Sequence, residues 1–430
     1  MIHKPELCPV RNDLHISPDH PYSESVPKTS MSHTITLKQP ASSRLQALHW
    51  HFWLVGALIA TPLLLKAQLV ISGNENKINL TSGAAQVVDG AGPDSISILD
   101  FSTWPPTVQH LDNVPNTVLG PPSNIAITPD RSLALIANSI KLDSTSVSKW
   151  VPNNEIHLLD LTANPPRITG QVQAGLQPSG ISISRDGKFA LAANRAQGTV
   201  SLLTIDKKAG VRAVDSVRVC TTEESISDVA ISPDGKLALA SAQKGGFLAV
   251  LRIEKNQVKF TGRKISVYGQ PYRTLITPDG HLGITAGIGY GNAVDSDAIS
   301  IVDLRGGKQR TIDHIPIGSG PESMELSPNG QLLVAVVMNG SNLAPDHDDL
   351  TRHGLLEVLV RRGSTFEKSD SIPIGPIPEG VAFTSDGKHL IVQSHSTRNL
   401  WVFRVDGNSI RDTGHRIKVP GMPSSLRASP

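Results

Sequence analysis

Aromatic residues are scarce in this sequence, since Phe, Trp and Tyr make up only 4% of its 430 residues. A large hydrophobic core must therefore be built mainly from Val, Ile, Leu and Ala. Cysteine is rarer still, with only Cys8 and Cys220. Cys8 precedes an apolar segment that we expect to be removed. A single remaining thiol forms neither an intramolecular disulfide nor a cysteine-based metal site.

The chain also has no excess of either charge: 40 basic and 38 acidic side chains give a formal net charge of +2. Proteins that bind nucleic acid electrostatically carry a basic stripe, and none is visible here. We therefore expect no nucleic-acid partner. Glycine (36 residues) and proline (31 residues) are plentiful, which indicates many tight turns.

Long apolar runs are missing except for one, FWLVGALIATPLLL at residues 52–65. It follows residues 1–51, which are polar, rich in Pro, Ser and His, and predicted to be disordered. The run is shorter than the roughly 20 residues of a membrane span and has the length of a signal-peptide core. We interpret residues 52–71 as a signal peptide cleaved near residues 67–72, or as a marginal anchor. Translation from Met31 would give the signal peptide a more ordinary basic region.

What the sequence does contain is a repeat. ISPDGKLALASAQ at residues 231–243 predicts a strand, a turn and a strand, and similar lines recur every 45 to 57 residues. The acid or amide of the turn falls at Asp130, Asp186, Asp234, Asp279, Asn329 and Asp386. A period near fifty residues, built from strands, is typical of a β-propeller with one four-stranded blade per repeat.

The number of blades follows from length. Residues 81–430, the predicted propeller domain, span about seven units of about fifty residues. PSSLRAS at residues 423–429 opens a repeat that nothing completes. We expect AAQVV (residues 84–88), SISILDF and TVQHLDNV to supply the other three strands. The sequence thus predicts an all-β, seven-bladed propeller of antiparallel blades, closed by N-terminal strands and a C-terminal inner strand.

SPDGKLALASA, followed by the TVSLLTID strand and a Gly-x-x-Pro step, resembles the YVTN family of β-propeller repeats. It is also similar to the wider group of lactonase-like seven-bladed propellers. The resemblance implies the fold. For activity it suggests a hydrolase or isomerase in which charged groups at the channel mouth polarise a lactone carbonyl and position water.

Propeller topology places the outer-to-inner loops and the second-to-third loops on one face. Three second-to-third loops are long, at residues 139–154, 287–298 and 339–354, and long loops in compact folds are often functional. Trp150 and Tyr290 lie on two of them and are candidate ligand-binding residues. The Asp-Gly turns lie on the opposite face, and we interpret their acids as structural.

The residues that follow the prolines of the repeats should also reach that mouth. They are Ser123, Ser179, Tyr272, Glu322, Glu379 and Ser424, with Arg273 one position further on. Two carboxyl groups and a guanidinium can serve as acid, base and anion holder, so Glu322, Glu379 and Arg273 are candidate catalytic residues. Tyr272, Ser123 and Ser179 are candidate ligand contacts. The alternative is a stabilising ring of ion pairs without chemistry.

The blade-six loop is the segment richest in metal-ligating side chains: Asp346, His347, Asp348 and His353. Carboxylates and imidazoles can hold a divalent cation, but this spacing matches no standard site. A solvated acidic loop is the preferred interpretation, and we expect no cofactor.

Two functions remain open. The first is an exported, monomeric binding or scaffolding module, periplasmic or secreted, that holds a small ligand, glycan or protein on its loop-rich face. The second is a lactonase-like hydrolase or isomerase acting on a small lactone or sugar acid. The sequence leaves open whether the protein is an enzyme. Membrane contact is expected only through an uncleaved N-terminal segment.

Overall fold

The computed structural model describes residues 68–430 of the chain. These residues form 30 β-strands and one short 3-10 helix, Arg305–Gly307. No helix between residues 68 and 430 is long and apolar enough to cross a membrane. The predicted disordered extension and most of the apolar segment, up to residue 67, lie outside the described residues.

The strands group into seven four-stranded antiparallel blades plus one short hairpin. The first strands along the chain are β1 (Leu69–Glu75), β2 (Ile78–Asn79), β3 (Gln86–Val87), β4 (Ser95–Asp100) and β5 (Thr107–Asp112). Blade two contains β6 (Ile125–Ile127), β7 (Leu133–Leu142), β8 (Trp150–Asp160) and β9 (Arg167–Gln173). Blade three contains β10 (Pro178–Ile183), β11 (Phe189–Asn194), β12 (Thr199–Asp206) and β13 (Gly210–Arg218).

The remaining blades repeat this arrangement. Blade four contains β14 (Ile226–Ile231), β15 (Leu237–Ala242), β16 (Phe247–Glu254) and β17 (Gln257–Ser266). Blade five contains β18 (Gln270–Ile276), β19 (Leu282–Ile288), β20 (Asp297–Asp303) and β21 (Arg310–Ile317). Blade six contains β22 (Pro321–Leu326), β23 (Leu332–Val337), β24 (Gly354–Arg362) and β25 (Thr365–Ile374). Blade seven contains β26 (Pro378–Phe383), β27 (His389–Ser394), β28 (Asn399–Asp406) and β29 (Ser409–Lys418), and β30 (Met422–Ala428) follows it.

Blade one is assembled from both ends of the described chain, in the order β30-β1-β4-β5 from the axis outwards. Val70 pairs with Ala428, and the Ser429 N–H donates to the Leu69 carbonyl at 2.7 Å. The predicted seven blades and the predicted closure by a C-terminal inner strand are therefore confirmed. Closure gives β1 an inner partner, so blade one has the same four strands as the other six.

The predicted second strand of blade one was wrong. That position belongs to β1, which begins at Leu69, before the expected domain start at residue 81. The predicted segment, residues 84–88, instead contributes β3, which pairs only with β2 in a two-stranded hairpin. This hairpin lies within residues 76–94, the second-to-third connection of blade one, which we call the blade-one insertion. Residues 69–71, the end of the predicted apolar segment, lie in β1.

The repeated turns hold themselves together with side-chain hydrogen bonds. Ser232 Oγ donates to Asp234 Oδ1 at 2.6 Å, and that oxygen also accepts the Lys236 N–H at 3.1 Å. The Ser232 hydrogen bond is the main reason why the pKa of Asp234 is lowered. Gly235 follows with a φ of 70°, a conformation that favours glycine. The Ser/Thr-to-acid bond recurs in every repeat, in Thr128–Asp130, Ser184–Asp186, Thr277–Asp279, Ser327–Asn329 and Thr384–Asp386.

The core lies between neighbouring blades and is aliphatic, as the composition predicts. Between blades six and seven, for example, Val334, Val336 and Leu390 are fully buried. Among the described residues, the aromatic members of the buried hydrophobic set are five phenylalanines: Phe101, Phe247, Phe366, Phe383 and Phe403. Since Val, Ile, Leu and Ala pack flat sheet faces closely, the blades hold the inner strands at fixed positions around the axis.

Candidate functional site

A cavity of about 550 Å³ opens at the axis on the loop-rich face. Its volume lies within the range of small-molecule sites. The walls come from the starts of inner strands, from second-to-third loops and from the blade-one insertion. We call it the mouth cavity.

Four of the predicted residues that follow a proline line the mouth cavity: Tyr272, Glu322, Glu379 and Ser424. Each directly follows a proline of its inner strand, in blades five, six, seven and one. The proline fixes the backbone where the chain turns in from the outer strand. The next side chain therefore reaches the axis at the same height in each blade, which is why these four residues converge.

Ser123 and Ser179 have the same relation to proline, but they do not line the cavity. Both are fully buried. Ser123 Oγ donates to Asp228 Oδ1 at 3.0 Å, and Ser179 Oγ donates to the Ser227 carbonyl at 2.6 Å. Ser123 thus links blade two to blade four, and Ser179 links blade three to blade four. Both hydroxyls are hydrogen-bonded inside the protein and do not face the cavity.

Arg273 is also not part of the mouth. Its side chain is only 3% exposed and lies 3.5 Å from Asp228 and 3.2 Å from Glu325. Glu325 in turn contacts Arg427 at 3.4 Å, near the opposite end of the axis. Successive residues of a strand point to opposite sides, so Arg273 cannot follow Tyr272 into the cavity. The expected position of Arg273 is thus corrected.

The guanidinium at the mouth comes from Arg195 instead. Arg195 lies in the short second-to-third loop of blade three and lines the cavity together with Gln243 and Lys244 from the same loop of blade four. Arg195 Nη2 donates to Gln243 Oε1. The sequence did place these loops on the functional face. The length criterion selected only the long second-to-third loops, so Arg195, which lies in a short one, was not predicted.

A third carboxyl group, Glu75 at the end of β1, also lines the cavity. Its Oε2 accepts the N–H groups of Lys77 at 3.1 Å and Ile78 at 3.0 Å. Sequence reasoning missed Glu75 because β1 precedes the predicted start of the propeller.

Glu75 and Glu379 are buried and Glu322 is half-buried beside them, and this burial raises the pKa values of all three. Burial, followed by repulsion from Glu322 and Glu75, raises the pKa of Glu379 well above its ordinary value of 4.5. Burial also raises the pKa of Glu322, while the Tyr272 hydroxyl and Arg195 lower it. For Glu75, burial is again the main cause and Asp94 adds to it. Carboxyl groups in such surroundings hold protons that solvent-exposed ones have lost.

Three polar atoms at the cavity wall are buried without a hydrogen-bond partner within residues 68–430: Glu379 Oε1, Ser424 Oγ and Arg195 Nη1. Buried polar groups are normally paired, because an unpaired one costs free energy. An acceptor, a hydroxyl and a cationic donor around one cavity match a ligand that carries several hydroxyl or carbonyl groups.

Of the two aromatic loop residues, Trp150 lines the mouth cavity, and Tyr290 does not. Tyr290 is 78% exposed at the tip of the blade-five loop. Trp150 begins β8 and pairs with Leu142, so the blade-two loop is an extended β-hairpin that holds the indole at the cavity wall.

The blade-six loop does not assemble a metal site. Among the described residues, no three His, Cys, Asp or Glu side chains are arranged to hold an ion. Asp346, His347, Asp348 and His353 lie along an exposed loop, where the His347 ring instead accepts the Asp349 N–H at 3.1 Å. The interpretation as a solvated loop stays a prediction.

The blade-one insertion crosses the mouth, and no sequence signal predicted this. Leu80, Gly83, Ala84 and Ala85 line the cavity. The Gly83 N–H donates to the Asn342 carbonyl of the blade-six loop at 2.6 Å. The insertion therefore covers part of the cavity and is attached at its far side.

The family described as a seven-bladed β-propeller lactonase matches residues 87–271, from β3 to the start of β18. A comparison with curated protein sequences finds no significant match. The chain resembles the lactonase-like seven-bladed propellers.

Solved structures agree at the level of the fold. A putative 6-phosphogluconolactonase from Bacteroides fragilis has a TM-score of 0.63 at 18% identity, over 85% of this chain and 99% of that one. The periplasmic gluconolactonase of Pseudomonas aeruginosa has a TM-score of 0.56 at 18% identity, over 84% and 99%. Hydrazine synthase from Kuenenia stuttgartiensis has a TM-score of 0.57 at 19% identity, over 73% and 90%. Different chemistries therefore share this lactonase-like fold, and activity must be argued from the site.

Proposed function

We propose that the protein hydrolyses a small lactone, or a related sugar-acid derivative, in the mouth cavity. The observation that carries the proposal is the group of buried carboxyl groups beside Arg195, with unpaired polar atoms that face one enclosed space. Two of the similar solved structures are described as lactonases, one of them only putatively. This favours the same reaction class here.

The environments of Glu322 and Glu379 assign them different roles. Burial raises the pKa of Glu322 to about 8, but the Tyr272 hydroxyl and Arg195 oppose that rise, so Glu322 is the carboxyl group that ionises first in mildly alkaline solution and acts as general base. Burial and the neighbouring acids raise the pKa of Glu379, so it keeps its proton and acts as general acid. Carboxyl groups whose surroundings separate their pKa values commonly divide the work in this way.

The reaction then proceeds in two steps. Glu322 removes a proton from water, the water oxygen bonds to the lactone carbonyl carbon, and the carbonyl electron pair moves to its oxygen. The unpaired Arg195 Nη1 stabilises that developing charge. Collapse of the adduct breaks the ring C–O bond, and Glu379 gives its proton to the leaving ring oxygen. The product is the open hydroxy acid.

The first test is Glu322→Gln, which keeps the shape of the side chain but cannot accept a proton. We expect kcat for glucono-1,5-lactone, followed by pH-stat titration, to fall by about 10²-fold or more. Glu367→Gln, on an exposed side chain of β25, is the control and should retain full activity. Wild-type protein that never exceeds the spontaneous rate over a panel of lactones would contradict the proposal, as would full activity of Glu322→Gln.

A binding module on the loop-rich face is the second candidate, supported by apolar side chains at the loop tips. Val147, Tyr290, Val294 and Leu350 are all exposed there. The proposal is that these tips hold a protein or glycan partner while the ring stays monomeric. Replacing Tyr290 and Val294 with Ser would abolish capture of such a partner without affecting lactone turnover, since neither residue lines a cavity at the mouth.

We further propose that the protein acts outside the cytoplasm, after removal of residues up to about 67. The apolar run of residues 52–65 supports export, and one similar structure is a periplasmic protein. N-terminal sequencing of exported protein tests this, since a mature chain that begins before residue 52 would exclude signal-peptide cleavage.

A further inference from the structure

A second cavity, of about 380 Å³, adjoins the mouth cavity and extends outwards from it. Four residues line both cavities: Ile78, Ala85, Leu119 and Trp150. The second cavity lies between the blade-one insertion and the blade-two hairpin. We call it the side cavity. The side cavity extends the mouth cavity past the indole of Trp150.

The lining of the side cavity combines an aromatic surface with polar groups. Besides the shared residues, it is lined by Val87 and Val147 and by the polar Gln86, Ser148 and Lys149. These polar groups are exposed, so they can bond to the hydroxyls of a ligand. A sugar ring has an apolar face that packs on an indole and a rim of hydroxyls that bond to amide, hydroxyl and ammonium groups.

An exposed ion pair beside the side cavity joins the blade-two hairpin to the blade-one insertion. Lys149 Nζ lies 3.3 Å from Asp89 Oδ1, and both side chains are more than half exposed. Exposed pairs of this kind contribute at most about 1 kcal/mol, so a ligand can displace the contact and reach solvent. The connected cavities therefore suit an elongated ligand.

We propose that the side cavity is a subsite for a second, non-reacting sugar ring that stacks on Trp150 while the lactone ring lies among the carboxyl groups. The substrate class is thus a disaccharide-type aldonolactone, with Trp150 as a specificity-determining residue. This inference rests on the proposed function for the reaction, but not for the binding of the second ring.

The test compares one ring with two. The kcat/KM for cellobiono-1,5-lactone and for glucono-1,5-lactone is measured in the wild type, in Trp150→Ala and in Trp104→Ala. Trp104 is 50% exposed and stacks on His389, far from both cavities in the fold, and serves as the matched control. We expect the wild type to prefer the two-ring lactone by about tenfold or more. Trp150→Ala should lose this preference, and Trp104→Ala should keep it.

A binding measurement separates the subsite from the reaction. Titration calorimetry with cellobiose and glucose needs no catalysis, and the wild type should bind cellobiose more tightly, with the difference lost in Trp150→Ala. Absence of lactone turnover with this binding pattern would overturn the proposed hydrolysis and leave the subsite standing. Equal affinities for glucose and cellobiose would contradict the sugar subsite. A lactone that carries an acyl chain in place of the second ring is a further comparison, and a preference for it would also contradict the sugar subsite. A second check fills the side cavity with a larger side chain. Val87→Trp should prevent binding of cellobiose and leave binding of glucose unchanged.

Discussion

At the scale of single residues, the mouth cavity depends on side chains that burial has removed from water. Glu379 is 4% exposed and Glu75 is 1% exposed. A carboxyl group at such a position keeps its proton because the charged form loses its hydration. The same burial on which the proposed chemical role of Glu379 depends also makes its ionised form costly to the folded state.

This cost predicts a pH dependence. The folded-state pKa of Glu379 is raised, so its favourable contribution is complete below the ordinary pKa of 4.5 and is lost as pH rises. Glu379→Gln does not titrate and escapes that loss. We expect the variant to be more stable than wild type by about 1–3 kcal/mol at pH 8 and to lose this advantage at pH 4. Urea unfolding at both pH values measures it. A difference that stays constant with pH would show that the carboxyl group titrates normally.

Arg273 illustrates the opposite case, a charge used for structure. It bridges Asp228 and Glu325 deep in the axis. Removing one partner of a buried ion pair leaves the other uncompensated, which typically costs about 3–5 kcal/mol. We expect Arg273→Ala to lower the free energy of unfolding by that amount while the folded fraction keeps its kcat. Arg252→Ala, on an exposed side chain, is the control. A stable Arg273→Ala protein without activity would restore Arg273 to the catalytic set.

At the scale of elements, the strands next to the repeated turn were the ones that the sequence predicted most accurately. The turn acids locate the hairpin of the two inner strands in blades two to seven, and the prolines locate the inner-strand ends that carry Tyr272, Glu322 and Glu379. Strand β1 carries neither signal. Its inner partner is β30 from the other end of the chain, so no turn joins the two strands. Glu75, Arg195 and the crossing of the blade-one insertion depend on such distant contacts, and no local pattern encodes them.

Strand β1 therefore limits where the chain can be shortened. A protein that starts at Gln68 keeps all of β1, whereas one that starts at Gly73 loses its pairs with Leu426, Arg427 and Ala428. We expect the first to melt in a single cooperative transition. The second should be insoluble or should melt far lower, because both neighbouring strands are left with open edges. Scanning calorimetry of the two proteins measures this, and matching transitions would show that β1 is dispensable.

At the scale of the whole molecule, the axis has two ends of different character. The mouth cavity lies under the loops, and a cavity of about 620 Å³ lies at the turn face, lined by Pro129, Pro233, Pro278 and Pro328. Between them, Arg273 and Asp228 fill the axis and are nearly fully buried. These buried side chains lie between the two cavities, and such burial would help to keep the carboxyl groups of the proposed site from bulk water.

The pairing of β1 with β30 also sets an order of events in time. Strand β1 cannot pair with β30 until the residues between them have been translated, which takes roughly 20–70 s at the usual rate of synthesis. During that interval blades two to seven can form, yet the circle stays open and blade one lacks its inner strand. A ribosome-bound chain of this protein is thus an open arc.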